Sequence, residues 1–165
     1  MGPFDVEHGG HKQGRTAMLI DSIGAHVSVW QAYEHIGIGM AGEPGSLIWT
    51  QLNAKDPDKA KPFYTGLLGW TYQDMPNPTG GAYTMWMRPG ETNATAGMMP
   101  MPPDTPGPSH WLTYWGTAAC DASHAKATSL GAKTYHGPED IPGMGRFAVM
   151  GDPQGAVFAL FQPVM

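Results

Sequence analysis

Seven histidines, one cysteine and 14 Asp or Glu residues are the groups in this 165-residue chain that could bind a metal or move a proton. Their spacing supports little of either. His8 and His11 stand three apart beside Glu7 and Asp5, close enough in sequence to share a cation. They lie, however, in a polar stretch over residues 1–13 that reads as a solvated, frayed terminus. His26 and His35 read as surface groups, and His110, His124 and His136 fall in different expected elements. His110 with Glu139 or Asp140 is a conceivable acid–base pair that spacing does not support. Cys120 precedes an expected helix, where a thiolate is favoured, but no histidine base stands near it in sequence. As the sole cysteine it excludes an internal disulfide and a cysteine-based zinc site. Arg15 and Arg146 could hold an anion or, more simply, pair with Asp21, Asp152 or another nearby carboxylate. Gly143-Met144-Gly145 is too short a match to a dinucleotide loop.

Short elements must position these groups. Gly and Pro number 23 and 16, so turns are many and long helices are not expected. Strands are expected at 47–53, 70–74, 82–88, 94–99, 110–117, 132–136, 146–151 and 156–161. Asp56-Pro57 opens a helix, with Ala60, Phe63, Tyr64, Leu67 and Leu68 along one apolar face and Gly69 beyond its end. Pro62 should bend that helix or limit its first turn. Asp121 is expected to cap a second helix that runs to Leu130. Met101 to Pro108 reads as a stiff linker. Hydrophobic residues make up 41% and charged residues 14%, a globular composition, and the net charge is −5 without a basic cluster. Neither nucleic acid nor an anionic membrane is an expected partner. The start lacks the basic and apolar regions of a secretory signal, and no run approaches the ~18 apolar residues of a membrane helix. A cytoplasmic protein is the expectation.

The chain also repeats itself. Residues 14–31 align without a gap on residues 145–162, and Gly, Arg, Ala, Asp, Gly, Ala and Gln recur in register. Each copy reads as strand, tight turn, strand, and Asp152-Pro153-Gln154-Gly155 has a type I turn composition. The order is an orphan hairpin, then β-α-β-β-β, linker, β-α-β-β-β. That is an α+β fold: two βαβββ units in a curved, mixed but mostly antiparallel sheet with a concave cleft, plus an extra N-terminal β-hairpin. Residues 1–45 would form an arm with linker and residues 46–165 a module, with units at 46–100 and 109–165. A lone hairpin is marginal in water. The arm is therefore expected to pack on the module's edge or on a second chain, giving a homodimer that could exchange residues 14–31.

The segment Leu52 to Trp70, with its Asp, helix, Phe63-Tyr64, two apolar residues and Gly69-Trp70, together with Gly145 to Gln162, resembles the vicinal oxygen chelate superfamily. That group takes in glyoxalase I, extradiol dioxygenases and bleomycin-resistance proteins. The likeness covers residues 46–163, and the repeat extends it to 14–31. The nearest form is a two-module protein, here with most of the first module missing. The resemblance implies metal ligands at cleft-facing strand positions, which fall on Trp49, Leu112, Ala159 and Gly97 or Met98. None of these side chains can ligate as His, Glu or Gln do. No metal and no cofactor are therefore expected.

If position 49 faces the cleft, so do Gln51 and Asn53 by period two; position 112 brings Tyr114, and position 159 brings Val157 and Phe161. Met85, Met87 and Met98 supply polarizable neighbours. The expected function is binding of a small apolar or aromatic molecule without a metal. Two alternatives stand beside it. One is a divergent metal-dependent lyase, isomerase or dioxygenase using Gln51, Asn53, His110 or Glu91. The other is a structural protein whose cleft is closed by side chains.

Overall fold

The computed structural model describes residues 2–77, 80–102 and 104–164; Pro78 and Thr79, between two expected strands, and Pro103 of the linker lie outside them. The elements are β1 (Phe4–His8), β2 (His11–Ile20), β3 (His26–Ala32), β4 (Leu47–Ala54), α1 (Pro57–Leu68), β5 (Thr71–Pro76), β6 (Ala82–Met87), β7 (Ala94–Pro100), β8 (His110–Gly116), α2 (Cys120–Ser129), β9 (Lys133–Ile141), β10 (Gly145–Gly151) and β11 (Val157–Pro163). Strands β1-β2-β3 form one sheet. Eight strands form another in the order β5-β6-β7-β4-β8-β11-β10-β9. The ladders β5–β6, β6–β7, β9–β10 and β10–β11 are antiparallel, whereas β11 runs parallel to β8. The α+β class, the mostly antiparallel sheet and the extra N-terminal hairpin agree with the expectation. The chain falls into two compact units, Met1–Gly39 with Leu52–Trp111 and Met40–Gln51 with Leu112–Met165.

In the first unit, α1 begins and ends as its residues dictate. Asp56 Oδ1 accepts from the Lys59 amide, Pro57 stands in the first turn, and Gly69 closes the helix in the left-handed region at φ 66°. The helix runs through Pro62. Ala60 and Tyr64 are buried against Leu52, Ala54, Trp86, Ala96 and Met98, with Phe63, Leu68, Trp70 and Trp111 around them. Ala25, from the turn of the N-terminal hairpin, is part of the same core. That turn is anchored within the chain, because Ser22 donates to the Lys59 carbonyl (2.7 Å) and Tyr64 donates to Asp21 Oδ2 (2.7 Å).

The structure corrects the expectation of a frayed start. Residues 4–8 form β1, and Gly9 and Gly10 make the left-handed turn into β2. Asp5, across from Arg15, accepts from both Arg15 (2.7 Å) and Lys12 (2.6 Å). Bonds from Lys12 first and Arg15 second hold the Asp5 carboxyl below its usual range. His11 faces Glu34, not a metal set with His8.

In the second unit, Ala119, not Asp121, is the N-cap of α2, and it offers no side-chain bond. Asp121 is taken by Arg146, which meets it with Nε and a terminal nitrogen at 2.9 Å each and reaches Asp140 as well at 2.9 Å. The free Cys120 amide is met instead by Gln162 Oε1 (2.9 Å). Both repeated arginines thus pair with carboxylates, though not with Asp21 or Asp152. Cys120 is fully buried, and burial, with Asp121 beside it, pushes its thiol up, against the nucleophile reading.

Candidate functional site

Strand alternation sorts the candidate residues. In the second unit Leu112, Tyr114 and Ala159 are a buried apolar cluster, and Trp49, Phe161, Phe147, Val149 and Ile48 pack against it. Register brings the strands together: Ala159 lies opposite Tyr114 on β8 and opposite Val149 on β10, while Phe147 faces Phe161. Gln51 is buried at 6% exposure. Five of the expected residues are therefore joined in one cluster: Trp49, Leu112, Tyr114, Ala159 and Phe161. Ile48, Phe147 and Val149 complete it and were not among the expected residues. The signal for Phe147 and Val149 was present in the period-two pattern of residues 146–151. Val157 is not in the cluster. It is exposed at the strand's start and, with Thr113, Trp115, Asp152, Ala156 and Phe158, lines a separate hollow of about 390 Å³.

In the first unit β6 sends Thr84 and Trp86 into the core and leaves Met85 and Met87 half-buried on its other face. Met85 lies opposite Gly97 and Thr84 opposite Met98, so Met98 shares the core face. Met98 packs in the core with Ala60 and Tyr64 of α1. Asn53 is half-buried, and its Nδ2 stands 3.1 Å from His110 Nε2. With Nδ1 of the same ring 3.0 Å from the Pro108 carbonyl, that geometry suits the Nδ1–H tautomer, whose Nε2 accepts from Asn53. His110 is not paired with Glu139 or Asp140: Glu139 meets His136, and Asp140 meets Arg146.

Comparison with known proteins decides the lineage. Residues 46–160 match the model of the Glyoxalase/Bleomycin resistance protein/Dioxygenase superfamily. The chain belongs to that superfamily. It is 39% identical over 150 residues to the Mycobacterium tuberculosis protein CFP32, whose name provisionally calls it a glyoxylase. That match takes in 91% of this chain and 56% of the relative. It is 33% identical over 132 residues to the anthracycline biosynthesis protein DnrV of Streptomyces peucetius, over 72% of this chain and 47% of that one. The chain thus spans about half the length of the curated relatives it matches. The fold is shared with the 2,3-dioxygenase LapB of Pseudomonas sp. KL28 (TM-score 0.61, 13% identity, 99% of this chain and 63% of that one). It is shared also with methylmalonyl-CoA epimerase of M. tuberculosis (TM-score 0.52, 18% identity, 77% of this chain and 95% of that one).

The divalent cation implied by the superfamily does not fit the residues present. The positions to which the resemblance assigns ligands carry an indole (Trp49), an isobutyl group (Leu112), a methyl group (Ala159) and no side chain (Gly97). Among the described residues, no three His, Cys, Asp or Glu side chains are grouped to hold a metal. Three of these positions, Trp49, Leu112 and Ala159, lie instead in a buried apolar cluster with Tyr114.

Proposed function

We propose that this glyoxalase-fold chain is a metal-independent binding module for a small apolar or aromatic molecule. The observation that carries the reading is the apolar cluster that joins Trp49, Leu112 and Ala159, three places where the superfamily resemblance assigns ligands, with Tyr114 and Phe161 beside them. Flat rings stack on indole and phenol faces, and apolar pockets with a few polar groups are the common form of small-molecule sites. In that site Trp49 and Tyr114 supply the stacking faces, and Gln51 supplies an orienting amide. Asn53, Met85 and Met87 are assigned the same role on the first unit. DnrV is named for anthracycline biosynthesis, which makes a planar polycyclic quinone the first probe. A divergent metal-dependent enzyme is the second reading; Asn53 and His110, which stand 3.1 Å apart, are residues it would use.

Unfolding of chelator-treated protein separates these readings. Anthraquinone-2-sulfonate at 100 times its dissociation constant should add about 2.7 kcal/mol of stability. Zinc, nickel, manganese or iron(II) alone should leave the midpoint in place. Stabilisation by one metal and not by the quinone would replace the binding reading with the enzyme. No response to either would point to a cluster closed by its own side chains.

A further inference from the structure

A polar pair stands on the face of the apolar cluster in the second unit. Phe147 and Val149, which pack on that cluster, lie opposite Glu139 and His136 of β9. Residues directly opposite in an antiparallel ladder project from the same face. Strict alternation would put positions 136 and 139 on different faces. The register slips by one residue between Phe147 and Val149, and the slip brings both to one side. Gly137 sits at the slip in the left-handed region at φ 74°, where a Cβ would come within 2.6 Å of the Phe147 carbonyl oxygen. A backbone irregularity that only glycine fits therefore seats the pair.

His136 is held on two sides. Its ring lies against Phe147 with centroids 5.2 Å apart, and its Nε2 stands 2.7 Å from Glu139 Oε2. A carboxylate at that distance favours the proton on Nε2. Nδ1 is then the acceptor of the neutral ring, and it has no hydrogen-bond partner among the described residues. The two side chains are 53% and 61% exposed, so a molecule from solvent can reach that nitrogen. An oriented imidazole with one free nitrogen, backed by a carboxylate, is a proton acceptor. Phe147 joins it to the apolar cluster, because the same ring packs against both.

We propose that His136, positioned by Glu139, is the specificity-determining residue of the apolar site and selects aromatic molecules that carry an acidic hydroxyl. This rests on the binding reading given above. The ligand's ring takes the apolar cluster, and its hydroxyl donates to His136 Nδ1. Full transfer of that proton breaks the O–H bond and forms N–H on the imidazole. The phenolate then faces an imidazolium whose charge Glu139 balances.

A matched pair of probes tests this: naphthalene-2-sulfonate and its 6-hydroxy derivative. Both are titrated into the chelator-treated full chain at about pH 8, where imidazole is ordinarily neutral, with anthraquinone-2-sulfonate run alongside. The hydroxylated probe should bind at least tenfold tighter than the parent. His136→Phe keeps a ring against Phe147 and removes the acceptor. It should abolish that preference and leave the affinity for the parent in place. Glu139→Gln should reduce the preference, and the ring-nitrogen NMR shifts of His136 should move from one tautomer towards a mixture. Equal affinity of the wild type for the two probes, or a preference that survives His136→Phe, would overturn the inference. Loss of both probes together in that variant would also overturn it, since a merely structural role predicts that outcome. Binding of neither naphthalene would overturn it too, and anthraquinone-2-sulfonate then shows whether the binding reading falls with it.

Discussion

The turns after Ile20 and after Gly151 are built from the same residues and the same bonds, yet carry different loads. In each, the aspartate amide donates to the alanine carbonyl four residues on (2.9 Å), and the glycine amide donates back to the aspartate carbonyl. In each, one carboxylate oxygen accepts two amides, from Ile23 and Ala25 or from Gln154 and Ala156. Local sequence dictates that geometry. The second oxygen shows what context adds. Asp21 is 7% exposed and accepts from Tyr64, whose hydroxyl in turn accepts from Trp111 Nε1 (2.9 Å). Asp152 borders the open hollow beside Thr113 and Trp115. One turn is a clamp between a hairpin and a helix; the other only reverses the chain.

Substitution should expose the difference. Asp21→Ala is the largest expected effect, a loss of roughly 3 kcal/mol, since it strands a buried hydroxyl and two amides. Asp152→Ala should lose about 1 kcal/mol, because water can replace its bonds. Urea unfolding of the two variants checks the ratio; equal losses would refute the clamp. Tyr64→Phe tests the same network from the helix side, and a loss of about 1–2 kcal/mol is expected in the same assay. Burial first, and the Asp21 bond second, raise the Tyr64 hydroxyl pKa. Tyr64 should therefore stay protonated in an alkaline absorbance titration beyond the ordinary range of a phenol.

Much of this architecture was legible in the sequence because its signals are local. Asp56-Pro57 and Gly69 mark the ends of α1, and alternation marks most strands. The 131-residue offset marks the paired turns. What was not legible depends on distant partners. Asp121 looks like a cap until Arg146 is seen to hold it. Residues 4–8 look frayed until Arg15 and Lys12 are set opposite Asp5. For the candidate site, period two relates Leu112 to Tyr114 and Ala159 to Phe161 within one strand, and these four share a cluster. Whether Met98 or Gly97 stands opposite Met85 is decided only by the β6–β7 register.

The smallest effect concerns the two arginine pairs. Bonds from Arg146 hold the Asp121 carboxyl below its usual range, as Lys12 and Arg15 do for Asp5. A carboxylate depressed in the folded state stabilises above its unfolded pKa of about 4. That contribution fades as pH falls through the lower folded value. Arg146→Gln and Arg15→Gln should each flatten the acid limb of stability against pH slightly, measured by unfolding between neutral and strongly acidic pH.

The most direct test of the binding account is calorimetric titration of anthraquinone-2-sulfonate into chelator-treated wild-type, Trp49→Ala and Trp115→Ala proteins, each checked for an intact unfolding transition. Trp49 stands in the apolar cluster, whereas Trp115 lines the separate hollow. The account predicts binding without metal, weakened roughly tenfold or more (~1.4 kcal/mol) by Trp49→Ala and unchanged by Trp115→Ala. Binding that requires an added metal, or that depends on Trp115 and not Trp49, would contradict it.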